Sequence, residues 1–369
     1  MKFTVLQENL LKGLGAVSKA VPVKPPLPIL SNILVSFDDG RLKLSATDLN
    51  ITISTYVGAS VSEKHTICIP AKIFHEFISN LAPETLEFSF EEPHLVVKSS
   101  KNKAKINTVV AKDFPQLPIL SDEFPYVLID PKSFSESVSV VSFSASTDSS
   151  RPILTGIYLK LENNALNIVA VDGFRLSEKL TPVLNESNTE FNVVIPSKNL
   201  FEISKIFSNS KEKIKMALNS EDNLLLFESD GIFVASGILD GDFPDYKKII
   251  PTEKIITAQI DTAELVSAIK ICNVFSKDST NIVKLNFSSD NTLSVSSYSD
   301  ETGESITTFS CHIEGEPYEV AYNAKYLMDF LSNVKSSKVI YESKGALTPG
   351  VFKPLDIKDY LHIVMPSRI

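Results

Sequence analysis

Tryptophan is absent from the 369 residues, and cysteine (3), methionine (4), histidine (5) and glycine (13) are scarce. Each shortage removes a class of chemistry. Cys68, Cys272 and Cys311 form neither a CxxC pair nor an even-numbered framework, so a disulfide scaffold is excluded and structural thiols in a reduced, cytoplasmic setting are expected. The few glycines include no glycine-rich phosphate loop. His65, His75, His94, His312 and His362 are scattered, with no HExxH and no metal-like spacing. A GxSxG nucleophile elbow is also missing. Long apolar runs are lacking, so no membrane span is expected. Met1-Lys2-Phe3-Thr4-Val5 does not open an apolar signal stretch. No catalytic residue, metal or cofactor is expected.

What remains is an ordinary globular composition, 43% hydrophobic and 22% charged, with a formal net charge of −9. An acidic balance argues against nucleic acid when taken alone, because nucleic-acid binders are usually basic. Net charge sums the whole surface, however, and permits one basic face.

The chain repeats itself. Ile69-Pro70-Ala71-Lys72, Ile195-Pro196-Ser197-Lys198 and Tyr322-Asn323-Ala324-Lys325 each open an apolar helical run, at offsets of 126 (71 to 197) and 127 (197 to 324). Ala46-Thr47-Asp48-Leu49 answers to Ala170-Val171-Asp172-Gly173, and Leu27-Pro28-Ile29-Leu30 to Arg151-Pro152-Ile153-Leu154, both 124 residues on. Asp113-Phe114-Pro115 answers to Asp242-Phe243-Pro244. The third copy is degenerate and reads Ser297-Tyr298 where the others have Asp. So long a period means domain-sized copies, not a solenoid. Boundaries are expected near 1–125, 126–254 and 255–369, at the polar, Pro-bearing junctions Asp122–Pro125 and Pro251–Lys254.

One copy reads as helix, hairpin strands, helix, more strands. Leu6, Leu10, Leu14 and Val17 share one helical face, with Lys12 and Lys19 opposite. Strands are expected at 33–37, 42–45, 51–56 and 66–69, with Asp38-Asp39-Gly40 as a hairpin turn. A second helix over 72–81 buries Ile73, Phe74, Phe77, Ile78 and Leu81, and strands follow at 86–90, 94–99 and 103–110. The later copies give helices at 133–143, 198–207, 262–275 and 325–334, with turns at Asn163-Asn164 and Ser288–Asn291. The fold class is α+β, three similar domains with two helices each and antiparallel sheet.

Lys12, Lys19, Lys72, Lys198, Lys205 and Lys325 all fall on polar helix faces. A single such lysine is ordinary solvated surface. Recurrence at matched positions in three copies suggests a shared lining that attracts phosphates through charge rather than base contacts. Two other readings stay open: an enzyme on a triplicated scaffold, and a protein-interaction scaffold that never meets DNA.

Several ordered pieces resemble the bacterial sliding clamp family, the beta subunit of DNA polymerase III: Met1-Lys2-Phe3, Leu27–Leu30, Ala46–Leu49, Val171-Asp172-Gly173-Phe174-Arg175-Leu176, Gly241-Asp242-Phe243-Pro244-Asp245-Tyr246 and Val364–Ile369. The resemblance covers the full length. It implies the DNA clamp fold as a ring-forming, head-to-tail homodimer around duplex DNA. The function implied is polymerase tethering for processivity, without a catalytic site of its own. Ile106, Val274 and Phe275 are the implied dimer contacts, with Ala104 where many relatives have an aromatic. A cleft between the second and third domains is implied for short peptides of polymerase, clamp loader and repair proteins. It would comprise Leu154, Val171, Gly173, Phe174, Arg175, Leu176, Pro244, Lys248, Ile249, Asn323, Tyr326, Ile363, Met365, Pro366, Ser367 and Arg368. Phe174 stands where relatives commonly carry His, and Thr280 where some carry a large apolar residue. Lys24, Lys72 and Lys198 are the implied DNA contacts, and no membrane partner is implied.

Overall fold

The computed structural model describes residues 2–38, 41–61, 65–121, 124–277 and 281–367. Their chain forms two compact units. One comprises Met1–Lys132, Leu184–Thr189 and Glu202–Ile238; the other comprises Ser133–Val183, Glu190–Phe201 and Leu239–Ile369. Six α-helices occur among the described residues: α1 (Gln7–Val17), α2 (Ala71–Ser79), α3 (Pro131–Ser142), α4 (Ser197–Phe207), α5 (Thr262–Ser276) and α6 (Ala324–Asn333).

Apolar spacing sets the helices against the sheets. In α1, Leu10, Leu14 and Val17 are buried as their period predicts, but Leu6 is 52% exposed. It precedes the helix, so the helical period does not apply to it. In α2, Phe74 and Ile78 are buried whereas Ile73 is 58% exposed, because one turn turns only part of its surface to the core. Asp261 Oδ1 caps α5 by accepting the N–H groups of Ala263 (2.9 Å) and Glu264 (3.1 Å).

Each unit is organised on a nine-stranded antiparallel sheet that the first and second, or second and third, thirds of the chain build jointly. In the first unit, strand Ile51–Gly58 pairs with Ile232–Gly237, with Ile53 opposite Val234. In the second unit, Arg175–Pro182 pairs with Tyr360–Val364, with Leu176 opposite Ile363. The two junctions match to the hydrogen bond: Gly237 N–H donates to Asn50 O and Met365 N–H to Phe174 O, both at 2.8 Å.

Two smaller sheets remain among the described residues. A five-stranded sheet of the first third ends in Lys103–Asn107 as an edge strand. A four-stranded sheet of the last third ends in Gly303–Ser310 as an edge strand. The single strand expected over 103–110 is broken at Thr108: Lys103–Asn107 stays in the small sheet, and Val109–Val110 pairs with Cys68 and Ile67 of the large one. Asp39 and Gly40 of the expected first hairpin turn, Met1, and Asp122 and Glu123 lie outside the described residues.

Candidate functional site

The repeated aspartates prove to be turn formers. Asp172 Oδ1 accepts the N–H groups of Phe174 (2.8 Å) and Arg175 (2.9 Å), and Gly173 supplies a left-handed φ of 95°. In the first copy Asp48 Oδ1 accepts from Asn50 and Ile51, both at 2.8 Å, and Leu49 adopts φ 77° without a glycine's freedom. The third copy departs from expectation. Ser297 and Tyr298 lie inside strand Thr292–Ser299, and the residue that follows it is Asp300, which accepts from the Tyr298 hydroxyl at 2.7 Å. That strand has eight residues where Ala165–Val171 has seven, which shifts the turn along the sequence.

The Asp172 turn carries a charged clasp. Buried Arg175 donates from Nε to Asp172 Oδ2 at 3.0 Å and from Nη1 to Asp329 Oδ2 on α6 at 2.5 Å. Its guanidinium lies 4.8 Å from the centre of the Tyr326 ring, and Phe174 stacks on that ring at 6.0 Å and 19°. A buried charge needs such partners, since desolvation otherwise opposes it.

Beside the clasp lies an apolar cluster that joins Leu154, Val171, Leu176 and Ile363 to Val169, Tyr246 and Val351. The strand register that sets Leu176 opposite Ile363 builds this floor directly. Met365, Pro366 and Ser367 continue past it, half-buried, and Ser367 N–H donates to Ala321 O at 2.8 Å. Pro244, Lys248 and Ile249 are exposed at the short turn Tyr246–Ile249, where Lys248 pairs with Asp245 at 3.0 Å. Asn323 acts first as a helix cap, its Oδ1 accepting from Lys325 N–H at 2.9 Å. Arg368 and Thr280 lie outside the described residues.

Sequence reasoning missed four contributors: Asp172 as a partner of Arg175, Asp329, Val351 and Tyr246. Tyr246 closes the motif Gly241-Asp242-Phe243-Pro244-Asp245-Tyr246. Its hydroxyl donates to Glu178 Oε1 at 2.8 Å and accepts from Asn167 at 2.7 Å; burial, and then the Glu178 carboxylate, push its pKa far up. Asp329 carried no local signal, since it meets Arg175 from 154 residues away. Behind the floor, Ser177 Oγ stands 2.8 Å from both Ser144 Oγ and His362 Nδ1. Burial, with Arg175 nearby, lowers the His362 pKa to about 3, so the imidazole is neutral. The Ser–His contact is sealed in the core, so it cannot meet a substrate.

The lysines are exposed as expected: Lys12 on α1, Lys19 just after it, Lys24 in the Pro-rich segment that follows, Lys72 on α2, Lys198 and Lys205 on α4, and Lys325 on α6. Glu202 was not anticipated; it approaches Lys19 at 3.6 Å and Lys205 at 3.8 Å. Ile106 is buried on the edge strand Lys103–Asn107, which also carries Ala104. Val274 is 69% exposed and Phe275 half-buried near the end of α5, where Thr302 Oγ1 donates to Phe275 O at 2.7 Å. Thr302 immediately precedes the other open edge, Gly303–Ser310.

Models of the N-terminal, central and C-terminal domains of the DNA polymerase III beta subunit match residues 1–118, 128–245 and 247–368, in order. The chain belongs to the DNA polymerase III beta subunit family, the sliding clamps. It is 26% identical to the Beta sliding clamp of Bacillus subtilis and 28% identical to that of Synechococcus elongatus, with all of both chains covered. The solved sliding clamp of Bacillus subtilis superposes with a TM-score of 0.94 at 26% identity, covering 100% of this chain and 99% of that one. The beta subunit of Thermotoga maritima does so with a TM-score of 0.92 at 27% identity and the same coverage. The clamp is thus a processivity factor of the polymerase and not itself a catalyst. No helix among the described residues is long and apolar enough to cross a membrane.

Proposed function

We propose that two copies of this clamp join head to tail into a ring around duplex DNA in the cytoplasm, tethering the replicative polymerase. The observation that carries the reading is the repeated sheet junction. Twice within the chain, the strand after a repeated turn pairs with the last strand of the next copy: Ile51–Gly58 with Ile232–Gly237, and Arg175–Pro182 with Tyr360–Val364. Among the described residues, the third copy's equivalent strand, Gly303–Ser310, ends its sheet without a further strand, and so does Lys103–Asn107, the first copy's last strand in the small sheet. The same junction made once more, between two chains, pairs these two edges and generates a heterologous interface, which closes into a ring if the rotation allows. Three domains near 1–125, 126–254 and 255–369 then contribute equally, and Ile106, Val274 and Phe275 flank the join.

The lysines Lys12, Lys19, Lys24, Lys72, Lys198, Lys205 and Lys325 supply a diffuse phosphate-attracting lining, weak enough to slide because topology retains the DNA. The floor of Leu154, Val171, Leu176 and Ile363, rimmed by Phe174, Arg175, Tyr326 and Met365, takes apolar side chains of short peptides from polymerase, clamp loader and repair proteins. Phe174 makes that rim more apolar than a histidine would.

Size-exclusion chromatography with light scattering tests the join. The expected mass is twice that of one chain, falling to one chain in Ile306→Pro, which removes a backbone donor from the open edge. A dimer that survives this change refutes the edge pairing.

A further inference from the structure

A groove of about 670 Å³ lies between α3 and the segments that follow α6. Lys179, Lys335 and Lys358 line it opposite the α3 serines, among them Ser135 and Ser139. Lys179 anchors the wall: its Nζ donates to Leu180 O at 2.7 Å and Lys358 O at 3.0 Å, leaving one of three N–H groups for a ligand. Burial lowers its pKa, opposed in part by the fields of Asp359 and Glu136. Lys335 and Lys358 are exposed and have no carboxylate partner among the described residues. Of the carboxylates on the wall, Asp356 is occupied: its Oδ2 accepts from Ser337 N–H at 2.7 Å, Ser337 Oγ at 3.0 Å and Ser336 Oγ at 3.1 Å. Glu136, the other carboxylate of the lining, acts on Lys179 through its field.

Among the described residues, the lining contains no aromatic platform for a base and no arginine fork. Point charges and hydroxyls spread along a trough suit the spaced oxygens of a phosphodiester backbone. We propose that this groove holds backbone phosphates of duplex DNA, as a contact separate from the helix-face lysines. The inference rests on the reading that the clamp embraces DNA.

The test is binding of a fluorescent linear duplex to the full-length clamp across a salt series. Each phosphate contact contributes about 0.9 to the log–log salt slope, so Lys335→Ala with Lys358→Ala lowers the slope by about 2. Ser135→Asp, which adds a negative charge inside the groove, weakens binding several-fold at low salt. Both lysines are exposed, so the melting temperature stays at the parent value. If the slope is unchanged in the lysine pair but falls in Lys24→Ala with Lys198→Ala, the groove proposal is overturned and the DNA reading stands. If neither pair alters the slope, the DNA reading itself is wrong.

Discussion

Replacing Arg175 by alanine is the sharpest perturbation of the cleft. The side chain is buried and bonded at 3.0 Å to Asp172 and 2.5 Å to Asp329, so its loss leaves two carboxylates facing each other with no cation between them. Removing one partner of such a buried pair costs about 3 kcal/mol, and the lost stacking on Tyr326 adds about 0.5–1 kcal/mol. Because Asp329 is the more exposed acid, Arg175→Ala with Asp329→Ala should cost less than the two single changes summed, by about 1–2 kcal/mol. The assay is denaturant unfolding of the parent, both single variants and the double variant, read alongside anisotropy of a fluorescent C-terminal peptide of the cognate polymerase. The clasp sets Phe174 and Tyr326, so peptide affinity should fall about tenfold or more in Arg175→Ala, a loss of about 1.4 kcal/mol. Additive single effects, or undiminished peptide affinity, would refute the argument that the clasp shapes the rim.

Other outcomes follow from the same geometry. Leu49→Gly should raise stability by about 0.5 kcal/mol by relieving φ 77°, and Gly173→Ala should lower it by about 1 kcal/mol at φ 95°, both read as shifts in the denaturant midpoint. The fold holds His362 neutral with a pKa of about 3, whereas the unfolded chain takes up that proton below about 6.5, so stability should fall as pH drops through this window and stay level above it. Between pH 7 and 5 the loss is about 2 kcal/mol, and His362→Gln should remove that part of the pH dependence in a melting series. Gly350→Ala places a Cβ 2.2 Å from Tyr322 Oη and 2.8 Å from Tyr341 Cε2, and should cost about 2 kcal/mol or more by calorimetry. Met365→Ala should weaken peptide binding several-fold in the anisotropy assay while the light-scattering mass of the clamp is unchanged.

Local patterns made the helices legible. Apolar residues at a 3.6-residue period identified Leu10, Leu14 and Val17, and the recurring Ile-Pro motif marked where a strand hands over to a helix. The repeat also paired Asp48 with Asp172, although only the structure shows both to form Asx turns. Long-range placement was not written locally. Nothing near Asp329 announces Arg175, and nothing in Lys103–Val110 shows that a single strand divides between two sheets. Register failed where a strand gained a residue: Asp300 is the first residue of the third turn while a fixed offset points to Tyr298. Pairwise charges escaped too, since Glu202 sits on the same helix as Lys205 but reaches Lys19 only through the fold. Leu154, Val171, Leu176 and Ile363, named from family likeness, do pack into one apolar cluster; the clasp beside it had to be seen.

On the ring reading, topology rather than charge retains the clamp on DNA. Clamp loaded on a singly nicked plasmid and passed over a sizing column should travel with the DNA at moderate salt, then come off once a restriction enzyme cuts the circle. Equal retention on circle and line would mean that ordinary charge contacts, rather than a closed ring, hold the protein there.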